Sequence, residues 1–530
     1  MKSKTIIQPS RRAFLKGTAC TAGFVITGGF SPFSWVTGHP FKLGVASGSS
    51  SSQGFVIWTR LAPNPLDDSP DGLAGLKGVP TKVRYEISTD EKMRKIVRKG
   101  TTQADPAFGY SVHVELSGLN PARPYWYRFH HGDATSRIGR GMTLPAAGAP
   151  LEHLKIAFVS CSNYEQGYFS AYRHLADEQP SGVLFLGDYI YEGIDQHEGN
   201  VRVHSDKEEA TTLAGYRRRY AQYQTDEDLQ RLRAEVSSFV TWDDHEVQND
   251  YAGEWSQTFD DPKLFLKRRA AAYQAYFENM PVKPNLSTPQ GPMMRIYDRF
   301  AFGDLAEVSM IDGRQYRSRS ACYGPPDKGH GHLETVEDCP ELLESNRSLV
   351  GMAQEQWLFD GLAQSKKKWN IIGNDVLMAS FRQKAPTGEF GYWTDDWNGY
   401  PASRARLMAH IHQSGVPNPV VVTGDNHAFW ASDLKLEPSN AKSPTVATEF
   451  VGTSISSRGP SYETFMSHMK ENPHVHFFDS RVRGYTTLDI TPATMTAKFQ
   501  TVSDAKDPKA TLSTLRTWVV EDGKAGPVSA

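Results

Sequence analysis

A short apolar run that stops at a glycine and an acid constrains this chain more than any other feature. Val183-Leu184-Phe185-Leu186 is unbroken in hydrophobicity and short, so it reads as a strand buried on both faces. Gly187 closes it, and Asp188 follows at its carboxyl end. Open α/β sheets place their ligands at that end. A carboxylate there needs a backbone amide, an arginine or a metal as its partner. Tyr191 comes three residues later and can aim its phenol at the same point. This segment alone also fits Asp188 as a helix N-cap.

Four more segments have the same form. Residues 155–160 run into Cys161-Ser162-Asn163, and 239–242 into Asp243-Asp244-His245-Glu246. Residues 369–372 run into Gly373-Asn374-Asp375, and 420–422 into Gly424-Asp425-Asn426-His427. A further strand is expected at 308–311. Helical patterns at 167–178, 211–235, 262–278 and 352–364 lie between them, which makes an α/β core with crossover helices. Caps and core hydrogen bonds explain one such strand end well. They explain five in succession poorly.

Upstream, residues 41–144 read as all-β. Short aromatic and β-branched runs at 54–60, 82–88, 110–116 and 125–130 are separated by Gly, Pro and Ser. Their length and late strands suit a fibronectin type III-like β-sandwich. Residues 145–150 form a short linker. At the start, Arg11-Arg12 precede a small-residue, mildly apolar stretch, which resembles a twin-arginine export signal. The expected order is a signal peptide at 1–38, a β-sandwich at 39–146, a catalytic core at 152–505 and a loosely held tail at 506–530.

The balance of 58 basic and 60 acidic residues, a net charge of −2, gives no basic surface for nucleic acid. A mean hydropathy of −0.50 and the lack of a long apolar stretch beyond the N-terminus argue against a membrane-spanning body. Export makes the cysteines informative. Cys322 and Cys339 flank a Gly/Pro/His/Asp-rich segment and read as a disulfide closing a surface loop. With Cys20 removed in the export segment, Cys161 is left single, so it is either buried and inert or bound to something.

The motif set resembles the PhoD-like alkaline phosphatases, within the calcineurin-like metallophosphoesterases and related to the purple acid phosphatases. Gly-Asp-x-x-Tyr (187–191), Trp-Asp-Asp-His-Glu (242–246), Asp-x-Arg-Gln-Tyr-Arg (312–317) and Gly-Asp-x-His (424–427) carry the likeness. Segments 41–48, 58–60, 397–401, 449–450 and 452–454 extend it over nearly the whole chain. The resemblance implies twin-arginine export to the periplasm or the medium, an N-terminal β-sandwich, and a four-layer α/β/β/α core hydrolysing phosphate esters. It implies a ferric ion (Fe3+) among Cys161, Asp188, Tyr191 and His427. Asp188 would bridge to calcium (Ca2+) held also by Asp244, Asn374 and Asp425. Gly313 departs from the family pattern, which expects a bulkier residue beside Arg314.

The chemistry of the side chains agrees. Thiolate, phenolate, imidazole and carboxylate together suit a trivalent ion, and zinc usually takes no phenolate. The second set offers oxygen only, which favours calcium, magnesium or manganese. Two such cations clamp a phosphate ester and acidify water, so hydroxide rather than an amino-acid nucleophile attacks phosphorus. His245 is assigned to stabilise the equatorial charge or protonate the leaving oxygen, and Arg314 to clamp a phosphate oxygen. Each has a structural alternative: a histidine that fixes Asp244, and a buried ion pair. Asp243, Glu246, Asn249 and Asp250 read as supporting or turn residues. Rival readings are a phosphodiesterase, including phospholipase D-like activity, on the same scaffold, a non-catalytic exported metal-binding protein, and a thiolate–iron oxidoreductase.

Overall fold

The computed structural model describes residues 38–324, 331–385 and 388–530. The expected export signal lies outside them except for its last residue.

Two sheets stack face to face. The larger runs, in spatial order, Val528–Ser529, Leu512–Glu521, Thr494–Val502, Arg483–Ile490, Leu154–Val159, Gly182–Leu186, Ser238–Thr241, Val45–Ser51, Gly54–Arg60, Ser111–Glu115. The smaller runs Asp298–Phe302, Ala306–Met310, Trp369–Asn374, Pro419–Thr423, Thr445–Val451, Phe429–Lys435, Val475–Asp479. The central strands of each are parallel, so their carboxyl ends share an edge.

Successive residues of a strand face opposite sides, and the chain uses both sides. Ile156, Phe158, Leu184, Leu186 and Phe239 turn inward to meet Val308, Met310, Ile371, Val420 and Val422. Ala157, Val159, Val183, Phe185 and Val240 turn outward to pack with side chains of helices Ser170–Asp177, Leu213–Gln224, Glu227–Glu235 and Pro262–Asn279. On the far side, Ile372, Val421 and Val451 pack with helices Met352–Gln364 and Pro401–Ser414. The layers are α/β/β/α, as expected. Each fully buried aliphatic or aromatic side chain contributes about 1.5–3 kcal/mol, so these facing rows are the main source of stability.

The sequence-based outline needs three corrections. The β-rich N-terminal region has a core of its own, with Val45, Phe55, Ile57, Val83, Ile87, Tyr127 and Phe129. One of its two sheets, however, is the end of the ten-stranded sheet, joined where Gly48 pairs with Ser238. Second, the expected tail at 506–530 contains the strand Leu512–Glu521, paired from Thr494↔Glu521 to Val502↔Leu512. Trp518 and Val520 bury themselves in the inter-sheet core, which holds that strand down. Third, the helix expected over 211–235 is two helices. Thr225 closes the first, and Asp226 caps the second, accepting the amides of Asp228 and Leu229.

Cys322 and Cys339 are joined by a disulfide. Cys339 packs with Ala321 and Leu342 in a small satellite cluster. No helix among the described residues is long and apolar enough to cross a membrane.

Candidate metal centre

Strand ends from both sheets meet at one place because glycine lets them. Gly187 has φ +94°, and a Cβ there would stand 2.3 Å from the Cβ of Asp243 on the neighbouring strand end. Gly424 lies against the carbonyl of Leu186 and the side chain of Ser160 across the sheets. Glu246 ties two of the ends together, accepting the amides of Asp188 (3.1 Å), Tyr189 (2.6 Å) and Asp243 (2.9 Å).

Four side chains converge there. The Cys161 sulfur, an Asp188 oxygen and a His427 ring nitrogen lie within 4.8 Å of one another. The Tyr191 hydroxyl is 2.8 Å from Asp188 Oδ2 and 3.0 Å from His427 Nε2. The other nitrogen of His427, Nδ1, is held at 2.7 Å by the carbonyl of Arg458, which fixes the ring. Cys161, Asp188, Asp425 and His427 all have positive φ, between +50° and +61°. Four non-glycine residues in that region at one locus mark a conformation imposed by the surroundings. Cys161 is fully buried. Burial first, then the charges of Asp188 and Asp425, pushes its thiol far above the ordinary value. Tyr191 is driven the same way by burial, Asp188 and Cys161. Their acidic neighbours and burial both act against ionisation of the thiol and the phenol.

A second group shares Asp188. Oxygens of Asp188 and Asp244 and a nitrogen of His245 lie within 4.8 Å of one another, and so do oxygens of Asp244, Asp250 and Asp395. Half-buried Asp425 faces the same charges: burial, then Asp244, Asp395 and Asp188, against the opposing pull of Arg314, drives its carboxyl well upward. Asp188 Oδ1 is buried with no hydrogen-bond partner in the protein. A buried, unpaired carboxylate oxygen between two acidic groups fits a cation.

Three expectations meet different surroundings. Asn374 is fully buried, and its oxygen accepts from Trp397 Nε1 (3.0 Å) while its nitrogen donates to Thr423 Oγ1 (3.1 Å) and the Val376 carbonyl. The amide ties neighbouring strand ends, and Asp395 stands with Asp244 and Asp250 in the acidic group. Arg314 is fully buried rather than facing an opening. It pairs with Asp243 and with Asp395 (2.8 Å), and its Nη2 lies 3.7 Å from Asp244. Asp250, read from sequence as a turn or supporting residue, belongs to the acidic group. His245 does reach the site. Its Nδ1 lies 2.7 Å from Glu192 Oε2, and its ring centroid is 4.2 Å from that of Tyr191. Burial opposes its charge, but Glu192, Asp244 and Asp188 hold the imidazole well above its ordinary value.

Asp395 and Glu192 were not singled out by motif spacing. The acidic pair Asp395-Asp396 just before Trp397-Asn398-Gly399 was the available signal for Asp395. Glu192, next to Tyr191, had none beyond proximity.

Two family models match the chain: the PhoD-like phosphatase over residues 156–499, and the PhoD-like phosphatase N-terminal domain over 32–145. The chain belongs to the PhoD-like phosphatase family. Alkaline phosphatase D of Bacillus subtilis (strain 168) is 39% identical over 532 residues, covering 97% of this chain and 88% of that protein. A solved structure of PhoD matches with a TM-score of 0.86 at 40% identity, over 93% of each chain. As a PhoD-like phosphatase the protein is a hydrolase. The PhoD-like core spans the strand ends that carry every residue of the convergence.

Proposed function

We propose that this PhoD-like phosphatase is exported by the twin-arginine route and hydrolyses phosphate mono- and diesters at a pair of unlike cations. The observation that carries the reading is the convergence of Cys161, Asp188, Tyr191 and His427 on one point, with Asp188 shared by an oxygen-rich second group.

The donors suit a ferric ion in the first group, because thiolate, phenolate and carboxylate offset its charge. The carboxylates of Asp188, Asp244 and Asp425, with Asp250 and Asp395 beside them, suit calcium. When bound, such cations supply Lewis acidity to the phosphate oxygens and acidify water.

The chain's own residues do the rest. His245, half-buried, oriented by Glu192 and carrying a proton, donates to the equatorial oxygens or to the leaving oxygen. Arg314 acts through the ion pairs that hold Asp243 and Asp395, and its Nη2, which makes no hydrogen bond, lies 3.7 Å from Asp244. Glu246 fixes the backbone from which Asp188 and Asp244 project.

Release of the leaving alcohol from matched mono- and diesters, by wild type and Asp188→Ala, tests the reading. Hydrolysis of both classes, abolished in the variant, is expected. Release that persists in the variant contradicts it. Activity on diesters alone moves the assignment to a phosphodiesterase on the same scaffold.

A further inference from the structure

The segment Gly452-Thr453-Ser454 and the residues after it have no part in the chemistry above, yet they wrap the first group. Thr445–Val451 delivers the chain to this loop. The amide of Ile455 then donates to the carbonyl of Ser160 at 3.0 Å, and the amides of Ser456 and Ser457 to that of Cys161 at 3.4 and 3.3 Å. Ser457 is buried. Its hydroxyl lies 2.7 Å from the phenol oxygen of Tyr191 and 2.9 Å from the carbonyl of Cys161, and it accepts the amide of Asn163 at 3.3 Å. It has one proton and two acceptors, each belonging to a different residue of the first group.

Arg483 seats this serine. Its Nη1 donates to the carbonyl of Ser457 at 2.6 Å, to the carbonyl of His427 at 2.9 Å and to Ser454 Oγ at 2.7 Å. Its Nη2 donates to the carbonyl of Ser480. These partners are carbonyls and a hydroxyl, not carboxylates, so the guanidinium brings its positive charge to the Cys161 and Tyr191 side of the site. Gly459 makes room, since a Cβ there would stand 2.4 Å from the Ser480 carbonyl and 2.9 Å from Arg483 Nη2.

We propose that Ser457, seated by Arg483, is a positioning residue that donates its hydroxyl proton to the Tyr191 phenolate and holds Tyr191, Cys161 and His427 in register for the metal. The Tyr191 phenol and the backbone carbonyls of Cys161 and His427, from three separate strand ends, thereby share one polar clasp. Where a hydrogen-bonding side chain orients a metal ligand, removing it typically costs about 10–100-fold in metal affinity. A donor on a phenolate also lowers the energy of the electrons that give a ferric–phenolate site its colour.

The proposal rests on the ferric reading of the first group, and the test separates the two. Visible spectra and iron retention against a chelator are compared for wild type, Ser457→Ala and Ser457→Thr. The charge-transfer band of Ser457→Ala is expected at longer wavelength, with iron retention lowered about 10–100-fold, and Ser457→Thr restores both. If Ser457→Ala does not fold by circular dichroism, Ser457→Cys, close in size but a weaker donor, is expected to displace the band in the same direction. A band at the wild-type position in Ser457→Ala or Ser457→Cys overturns the assignment, even if iron is held less well. Wild-type protein without iron or band defeats the ferric reading itself.

Discussion

Gly313 and Asp375 compete for one space. A Cβ at residue 313 would stand 2.2 Å from Asp375 Oδ2, nearer than real atoms approach. The carboxylate is fully buried and neither oxygen has a hydrogen-bond partner in the protein. The Asp375 carboxylate, from the next strand end, thus fills the space that a side chain at 313 would take. Gly313→Ala is expected to destabilise the protein by about 1–3 kcal/mol, as overpacking does. Adding Asp375→Ala removes the clash, so the double variant should be more stable than the sum of the two changes. Denaturant titration of the three variants checks this, and strict additivity would contradict it.

The link from Glu192 to His245 gives a second expectation. Burial acts against the Glu192 carboxylate, but His245 holds its pKa below the usual range, so the pair is charged. Glu192→Gln keeps the shape and removes the charge that orients the imidazole. The expected result is kcat lowered about 100-fold or more with KM and bound metal little changed, in line with the loss of a positioned acid. Loss of metal together with activity would make Glu192 part of the metal scaffold instead.

On the N-terminal sheet, Glu86 meets Lys99 at 2.9 Å and Arg128 at 2.8 Å, with His130 at 3.3 Å. Lys99 and then Arg128 hold its carboxyl down to about 2, from an ordinary 4.5. A folded-state pKa below the unfolded one stabilises above the unfolded value, and that stability is lost as pH falls through the folded value. Wild type should therefore lose stability between about pH 4.5 and 2 relative to Glu86→Gln, as measured by acid titration at several salt concentrations. Identical acid profiles would show that the cluster contributes nothing, the usual result for solvent-screened ion pairs.

The disulfide between Cys322 and Cys339 closes a loop with a sequence separation of 17. Loop-closure entropy for a loop of this size predicts a stability loss of about 3 kcal/mol in the double Cys→Ser variant. Denaturant curves with and without reductant measure it, and wild type should respond to reductant as the variant does not.

What was legible in the sequence followed from local chemistry. An apolar run with a polar group straight after it is visible without tertiary knowledge, so Cys161, Asp188, Asp244, Asp425 and His427 could be placed at strand ends. Tyr191 followed from its spacing to Asp188. What depends on contacts between distant segments was not visible. Asn374 and Asp395 each sit beside a strand end, and only folding decides that the amide meets Trp397 while the acid meets Arg314. The burial of Arg314 among Asp243, Asp244 and Asp395 is a tertiary fact that its motif does not carry. The final strands were hidden by the polar stretch Asp504–Lys509, and the β-branched run Thr517-Trp518-Val519-Val520 was the signal passed over. The join at Gly48 and Ser238 leaves no trace in either segment.

Metal analysis of natively produced protein, read with its visible spectrum, tests the account most directly. It predicts iron together with calcium in coloured wild-type protein, and loss of iron and colour in Cys161→Ala and Tyr191→Phe. A colourless, zinc-only preparation with full phosphatase activity would contradict it.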